Sequence, residues 1–227
     1  MQFTDIKNQV YILTKTNSSS FPVADLTLLA NNAMSRVSSM ILQADGRWEF
    51  DDTNYTDLPI GTTALVSGQS DYELSTDHLE ITDVEIKDSN GNWYPLKPID
   101  KKDAEDVALT EFYENSGSPM YYDVMGKSVF LYPAPNYSQA ASLKVFYKRT
   151  PSYFTTADTT KTPGFATIFH DLIPLWVSYE YSIANGLKNS NLLMAEIDRK
   201  ERALVSFYSH RNKDDQPIMS MRPISFR

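Results

Sequence analysis

Residues 165–211 read FATIFHDLIPLWVSYEYSIANGLKNSNLLMAEIDRKERALVSFYSHR, and this stretch decides the fold class because it encodes two long helices joined by a turn. Leu172, Trp176, Tyr179, Ile183 and Leu187 recur every three or four residues, which sets them along one side of a first helix. Leu193, Ile197, Leu204 and Tyr208 form a narrower stripe on a second helix, surrounded by Glu196, Arg199, Lys200, Glu201 and Arg202. Between them Asn185, Gly186, Asn189, Ser190 and Asn191 are residues that stop one helix and cap the next, so the pair is expected to fold back as a hairpin. Pro174 either starts the first helix, leaving residues 165–173 as a separate turn, or kinks it. Two helices cannot cover each other's apolar faces alone, and the missing partners lie at the other end of the chain.

There Phe3, Ile6, Val10 and Leu13 predict a short amphipathic helix over residues 4–15. After the polar run Asn17, Ser18, Ser19 and Ser20, Pro22 stands where a first helical turn tolerates it. Leu26, Leu29, Ala33, Val37 and Met40 predict a second helix over residues 24–43, ended by Asp45 and Gly46. From residue 47 to 149 the pattern changes to short aromatic and β-branched runs separated by turn residues, the mark of antiparallel β structure. Strands are expected at residues 47–50, 63–66, 72–74, 79–87, 93–99, 120–125, 128–132 and 143–148. The best hairpin turns are Asp88 to Asn92 and Met125 to Lys127, each with a Gly where a tight reversal wants positive φ. Residues 103–113 are expected as a short helix over the sheet, and Pro133, Pro135 and Pro151 as strand ends.

The order helix, sheet, helix predicts an α+β fold: a helical bundle formed by the N- and C-terminal helices, with an inserted antiparallel β-sandwich or barrel-like domain. The expected boundaries are 1–46 for the first part of the bundle, 47–150 for the insertion, 151–211 for the second part and 212–227 for an extended C-terminal tail. That tail carries Ile218, Met219, Met221, Ile224 and Phe226 beside Pro217 and Pro223, with no helical or strand period. Too apolar for a solvated tail, it either docks on a neighbouring subunit or another protein, or packs back on its own bundle.

The chain of 227 residues, 41% hydrophobic and 22% charged, is long enough for a sizeable core. Its net charge of -8 disfavours a broad nucleic-acid-binding surface, which needs a basic patch. No cysteine is present, which removes disulfides, thiolate metal sites and a Cys nucleophile. Residues 1–16 contain Asp5 and Lys7 and no long apolar run, so neither a signal peptide nor a membrane span is expected, and the chain reads as a soluble, intracellularly made protein.

Chemistry-bearing patterns are sparse. His78, His170 and His210 occur in unrelated settings, and no Gly-x-Ser-x-Gly elbow, His-x-x-x-His pair, phosphate-binding loop or dinucleotide-binding glycine turn is present. Asp88, Asn90 and Asn92 alternate like the start of a calcium loop, but the closing Glu is missing and a turn is the better reading. Asp51 and Asp52, like Asp214 and Asp215, read as solvated loop acids. His170 is expected to be a satisfied polar group near the bundle end, and Tyr121, Tyr122, Tyr132, Tyr137, Phe146, Tyr147, Tyr153 and Phe154 to be core or cross-strand pairs rather than sugar platforms. Neither a cofactor nor an enzymatic activity is expected.

Three segments resemble a known family. Gly117-Ser118-Pro119 leads into Met120-Tyr121-Tyr122, the strand Ser128-Val129-Phe130-Leu131-Tyr132 ends in Pro133-Ala134-Pro135, and Leu143-Lys144-Val145-Phe146-Tyr147 ends in a tyrosine. Together with Pro174-Leu175-Trp176 opening one helix and Ala195, Glu196 and Arg199 in the next, this pattern is similar to the head-to-tail adaptor (connector) proteins of tailed bacteriophages, of the T7 tail tubular protein A type. The resemblance implies a structural virion protein of the tail or neck, made in the host cytoplasm, forming a ring of about twelve copies. In that role the bundle sits under the portal, the tail side meets a nozzle or tube protein, and DNA passes through the lumen without sequence-specific binding. It further implies that the C-terminal tail, with Ile218, Met219, Met221, Arg222, Ile224, Phe226 and Arg227, docks on the portal. The rival expectation is a carbohydrate-binding or depolymerising module of a phage or bacterial surface, resting on the aromatic strands and scattered acids.

Overall fold

The computed structural model describes residues 1–44, 51–74, 78–99 and 115–210. The fold is mixed α+β, with four α-helices and several sheets, mostly antiparallel, among the described residues. It divides into two compact units, Met1–Asn54 with Pro151–Arg227, and Tyr55–Thr150. The expected strand at residues 47–50, the helix at 103–113, the terminator at 45–46 and the C-terminal tail lie outside the described residues.

The first unit carries α1 (Phe3–Thr14), α2 (Val23–Ala44), α3 (Leu172–Ala184) and α4 (Ser190–His210). Helix α1 starts where the Asp5 carboxylate takes the Gln2 N–H, and ends where Lys15 turns to φ 56°. Its first-turn N–H groups, which have no partner within a helix, are met by carbonyls of the loop before α3: Phe3 N–H bonds Lys161 O at 2.8 Å and Thr4 N–H bonds Thr159 O at 3.1 Å. The same loop is held by Asn31 of α2, whose amide bonds both the N–H and the C=O of Phe154. Phe154 in turn stacks on Phe3 at 4.4 Å.

One core draws on all four helices: Phe3, Ile6 and Val10 of α1, Leu26 to Ile41 of α2, Leu172 to Val177 of α3, and Leu193, Ile197, Leu204 and Tyr208 of α4. Each fully buried aliphatic contributes about 1.5–3 kcal/mol relative to exposure. The α4 stripe is buried as its spacing predicts, whereas α3 departs from its predicted stripe. Its first two turns, Leu172 to Ser178, are buried all round, and the buried line continues through Ser182, so Ile183, roughly 100° further round the helix, is turned outward. Pro174 falls in the first turn, where its missing N–H costs no helical bond. A short 3-10 turn, Thr167–Phe169, precedes α3. In α2 the buried line runs Leu26, Ala30, Ala33, Met34, Val37 and Ile41, leaving Leu29 and Met40 at its margin.

The second unit contains β1 (Ile60–Leu65), β2 (Asp71–Glu73), β3 (His78–Lys87), β4 (Trp93–Pro95), β5 (Lys97–Pro98), β6 (Ser116–Gly117), β7 (Tyr121–Met125), β8 (Ser128–Tyr132), β9 (Ala134–Pro135) and β10 (Gln139–Arg149). Two four-stranded sheets run β1-β10-β3-β4 and β2-β8-β7-β5, and β6 pairs with β9. The β3–β4 and β7–β8 hairpins turn at Gly91 and Gly126, with φ of 89° and 62°. Side chains of both sheets share one core, including Leu65, Tyr72, Val84, Ile86, Leu96, Val129, Leu131, Leu143 and Val145.

Two expectations need correction here. The stretch at 93–99 is two strands, because the chain passes from one sheet to the other at buried Leu96, flanked by Pro95 and Pro98, which donate no ladder hydrogen bond. Pro135 ends β9 as expected, and its carbonyl takes the Gly68 N–H at 2.7 Å. Pairing is not purely antiparallel, since β5–β7 and β6–β9 are parallel.

Candidate docking surfaces

Within the helical unit the α1–α2 and α3–α4 turns come together, because Phe21 stacks on Tyr181 at 4.4 Å and the Asn189 amide donates to Leu13 O at 3.4 Å. Gly186, at φ 64°, ends α3 there. This end exposes three large aliphatics, Ile12 at 75%, Ile183 at 56% and Leu192 at 77%. Residues 11–24 and 181–195 contain no Asp or Glu, and their only charges are Lys15 and Lys188. On a chain of net charge -8, an acid-free basic cap with exposed aliphatics suits an apolar surface bearing carboxylates. The signal was present in the sequence, in the absence of acids near both turns, but only the packing joins them.

A charged cluster around Trp176 in this unit is structural. Arg36 lies over the Trp176 ring at 3.8 Å and reaches Glu201 at 3.4 Å, while Trp176 Nε1–H donates to Glu201 Oε1 at 3.0 Å. Burial pushes the neighbouring Glu180 carboxyl above its usual range, with Arg36 pulling it back.

In the β unit, β1 is an edge strand whose ladder is to β10, and Gly61 to Ala64 are exposed. Beside it opens a groove of about 140 Å³, lined by Thr63 of β1, Tyr72, Glu73 and Leu74 at β2, and Leu143 and Val145 of β10. At the close of β10, Arg149 is buried, with its guanidinium over the Tyr55 ring at 3.7 Å and Asp57 at 3.5 Å.

The residues singled out for chemistry are not brought together. His78 begins β3, and His210 ends α4. His170 is 2% exposed: its Nε2 lies 2.8 Å from Phe165 O, and its Nδ1 lies 3.0 Å from the Met1 nitrogen. A carbonyl can only accept, so Nε2 carries the proton and Nδ1 accepts. Burial holds its pKa below the ordinary histidine value. Asp88 is a turn acid, accepting from Asn90 N–H and Asn92 N–H, and these bonds hold its carboxyl below the usual range, that from Asn92 most. Among the described residues no group of three His, Asp or Glu side chains is placed to hold a metal ion, and no helix is long and apolar enough to cross a membrane. Of the aromatics considered as sugar platforms, Tyr122, Tyr132, Tyr147 and Phe154 are buried, and Tyr153 alone is exposed. The Tyr137 hydroxyl donates to Lys87 O. The docking residues predicted in the tail, Ile218 to Arg227, lie outside the described residues.

Asp52 corrects the sequence reading: it is a buried clasp rather than a solvated acid. Its Oδ1 accepts from the Asn54 N–H at 2.8 Å and the Asn54 side-chain amide at 2.7 Å, and its Oδ2 from the Ser152 N–H at 2.9 Å. Gly164, at φ 77°, leaves the carboxylate its space, since a Cβ there would stand 1.9 Å from Oδ1. The local cue was the Asp-Thr-Asn sequence, which favours such side-chain-to-backbone turns.

Two comparisons with known proteins bear on identity. A family model described as "SU10 adaptor protein" matches residues 1–222. No curated protein matches the chain.

Proposed function

The chain belongs to the SU10 adaptor family, a family of bacteriophage structural adaptors, and from that premise we propose that it is the head-to-tail adaptor ring subunit that joins the portal to the tail and lines the DNA channel. The observation that carries this reading is the family match over residues 1–222, which also points away from an enzymatic role and towards association with other phage head and tail proteins in the virion neck. In this proposal the four helices act as one bundle assembled from both chain ends, and the two sheets as an inserted β-sandwich, divided at 1–46, 47–150 and 151–211. Their support is the single core shared by the helices and the separate core shared by the sheets.

The acid-free end of the helices is the surface we assign to the portal, with the segment from Ile218 to Arg227 as a second contact on the same partner. The sheets face the nozzle or tube protein. A ring of about twelve copies, as in the T7 tail tubular protein A type, would enclose an acidic lumen that repels DNA and lets it slide. The rival reading, a glycan-binding module, is disfavoured by the burial of Tyr122, Tyr132, Tyr147 and Phe154 among its proposed stacking aromatics.

The test mixes the purified chain with portal rings and follows assembly by size exclusion and mass photometry. Portal-dependent rings are expected, with Lys15→Glu/Lys188→Glu weakening attachment at least tenfold and removal of residues 214–227 abolishing it. A chain that stays monomeric with portal and binds glycans would refute the proposal.

A further inference from the structure

Among the described residues, three of the four edges of the two large sheets are guarded against added strands. Edge β4 is short and ends in Pro95, β5 is two residues long and contains Pro98, and β2 is short and presents Asp71 and Glu73. Such length, proline and charge are the ordinary devices that keep sheet edges from pairing. The fourth edge, β1, reads Ile-Gly-Thr-Thr-Ala-Leu: six residues, uncharged, without proline, with Gly61 to Ala64 exposed. An unguarded edge offers main-chain donors and acceptors in a row, and the adjoining groove gives entry to the inter-sheet core at Leu143 and Val145. A strand laid on β1 would send alternate side chains into that groove, past Glu73 in its lining.

We propose that β1 and its groove receive the C-terminal segment of a neighbouring copy, residues 218–222, as an added strand. Pro217 and Pro223 bar a helix and confine any strand to the residues between them. As an added strand, Ile218-Met219-Ser220-Met221-Arg222 would set Met219 and Met221 on one face, since successive side chains of any strand alternate, and their unbranched thioethers adapt to an irregular apolar groove. No Asp or Glu follows Asp215, while Arg222 and Arg227 complement Glu73 of the groove. Between the end of α4 and Ile218 lie residues 211–217, a tether that spans up to roughly 25 Å when extended. This inference rests on the adaptor reading and names how neighbouring copies engage before a portal claims the tail.

Hydrogen exchange read by mass spectrometry on the full chain, without portal, tests it. The amides of residues 60–65 are expected to exchange roughly tenfold more slowly at high than at low protein concentration, as an edge about nine-tenths occupied would. Slowing is expected to disappear in the chain ending at His210 and in Met219→Asp/Met221→Asp, and to return when a synthetic peptide of residues 213–227 is added. Equal exchange in the full and shortened chains overturns the proposal, as does slowing that survives dilution, which would put the segment on its own chain. Either result leaves the portal-assembly outcome, and so the adaptor reading, to stand or fall separately.

Discussion

Replacing Gly164 by Ala tests the buried clasp directly. Two costs add. An alanine held at φ 77° in the left-handed region costs about 1–2 kcal/mol. Its Cβ would also overlap Asp52, at 1.9 Å from Oδ1 and 2.2 Å from Cγ, so the carboxylate must leave. Moving it breaks at least the two bonds from Asn54 to Oδ1, each about 1.5 kcal/mol or more because the acceptor is charged. Gly164→Ala is therefore expected to destabilise the helical unit by about 4–5 kcal/mol. Gly186→Ala is the internal control: it has φ 64° in the same unit but nothing within 4 Å of the new methyl, and pays only the backbone cost. Urea denaturation followed by circular dichroism at the helical band reads both. In an Asp52→Ala background, Gly164→Ala should fall to the control's value, since the collision is gone. If Gly164→Ala costs no more than Gly186→Ala in the intact chain, or if Asp52→Ala brings no relief, the clasp is misread.

Two further outcomes follow from the same unit. His170 has a folded pKa held below its unfolded value by burial, so its contribution to stability is full above about pH 6.5 and is lost as the pH falls towards the folded pKa; denaturation midpoints between pH 7.5 and 5.5 should drop, and His170→Gln should flatten that slope. Arg36→Ala uncovers one face of the Trp176 ring, with an expected loss of about 1–2 kcal/mol and a red-shifted component in the tryptophan emission; unchanged emission would show that the guanidinium does not shield the ring.

The sequence by itself determined what depends on neighbours along the chain. Helical spacing marked α1, α2 and the α4 stripe to within a residue or two, and Gly91 and Gly126 marked their hairpins, because amphipathic periods and positive-φ turns are local properties. Tertiary packing decided the rest. Asp52 reads as a loop acid until Ser152 and Gly164 are brought to it, and Ile183 belongs to an apolar stripe until the burial of Ser178 and Ser182 turns it outward. The acid-free end depends on the meeting of two turns far apart in the chain, and the open β1 edge depends on which strand closes each sheet. A residue's period and turn chemistry are written within a few positions of it, whereas burial and exposure are set by partners that only the folded chain supplies.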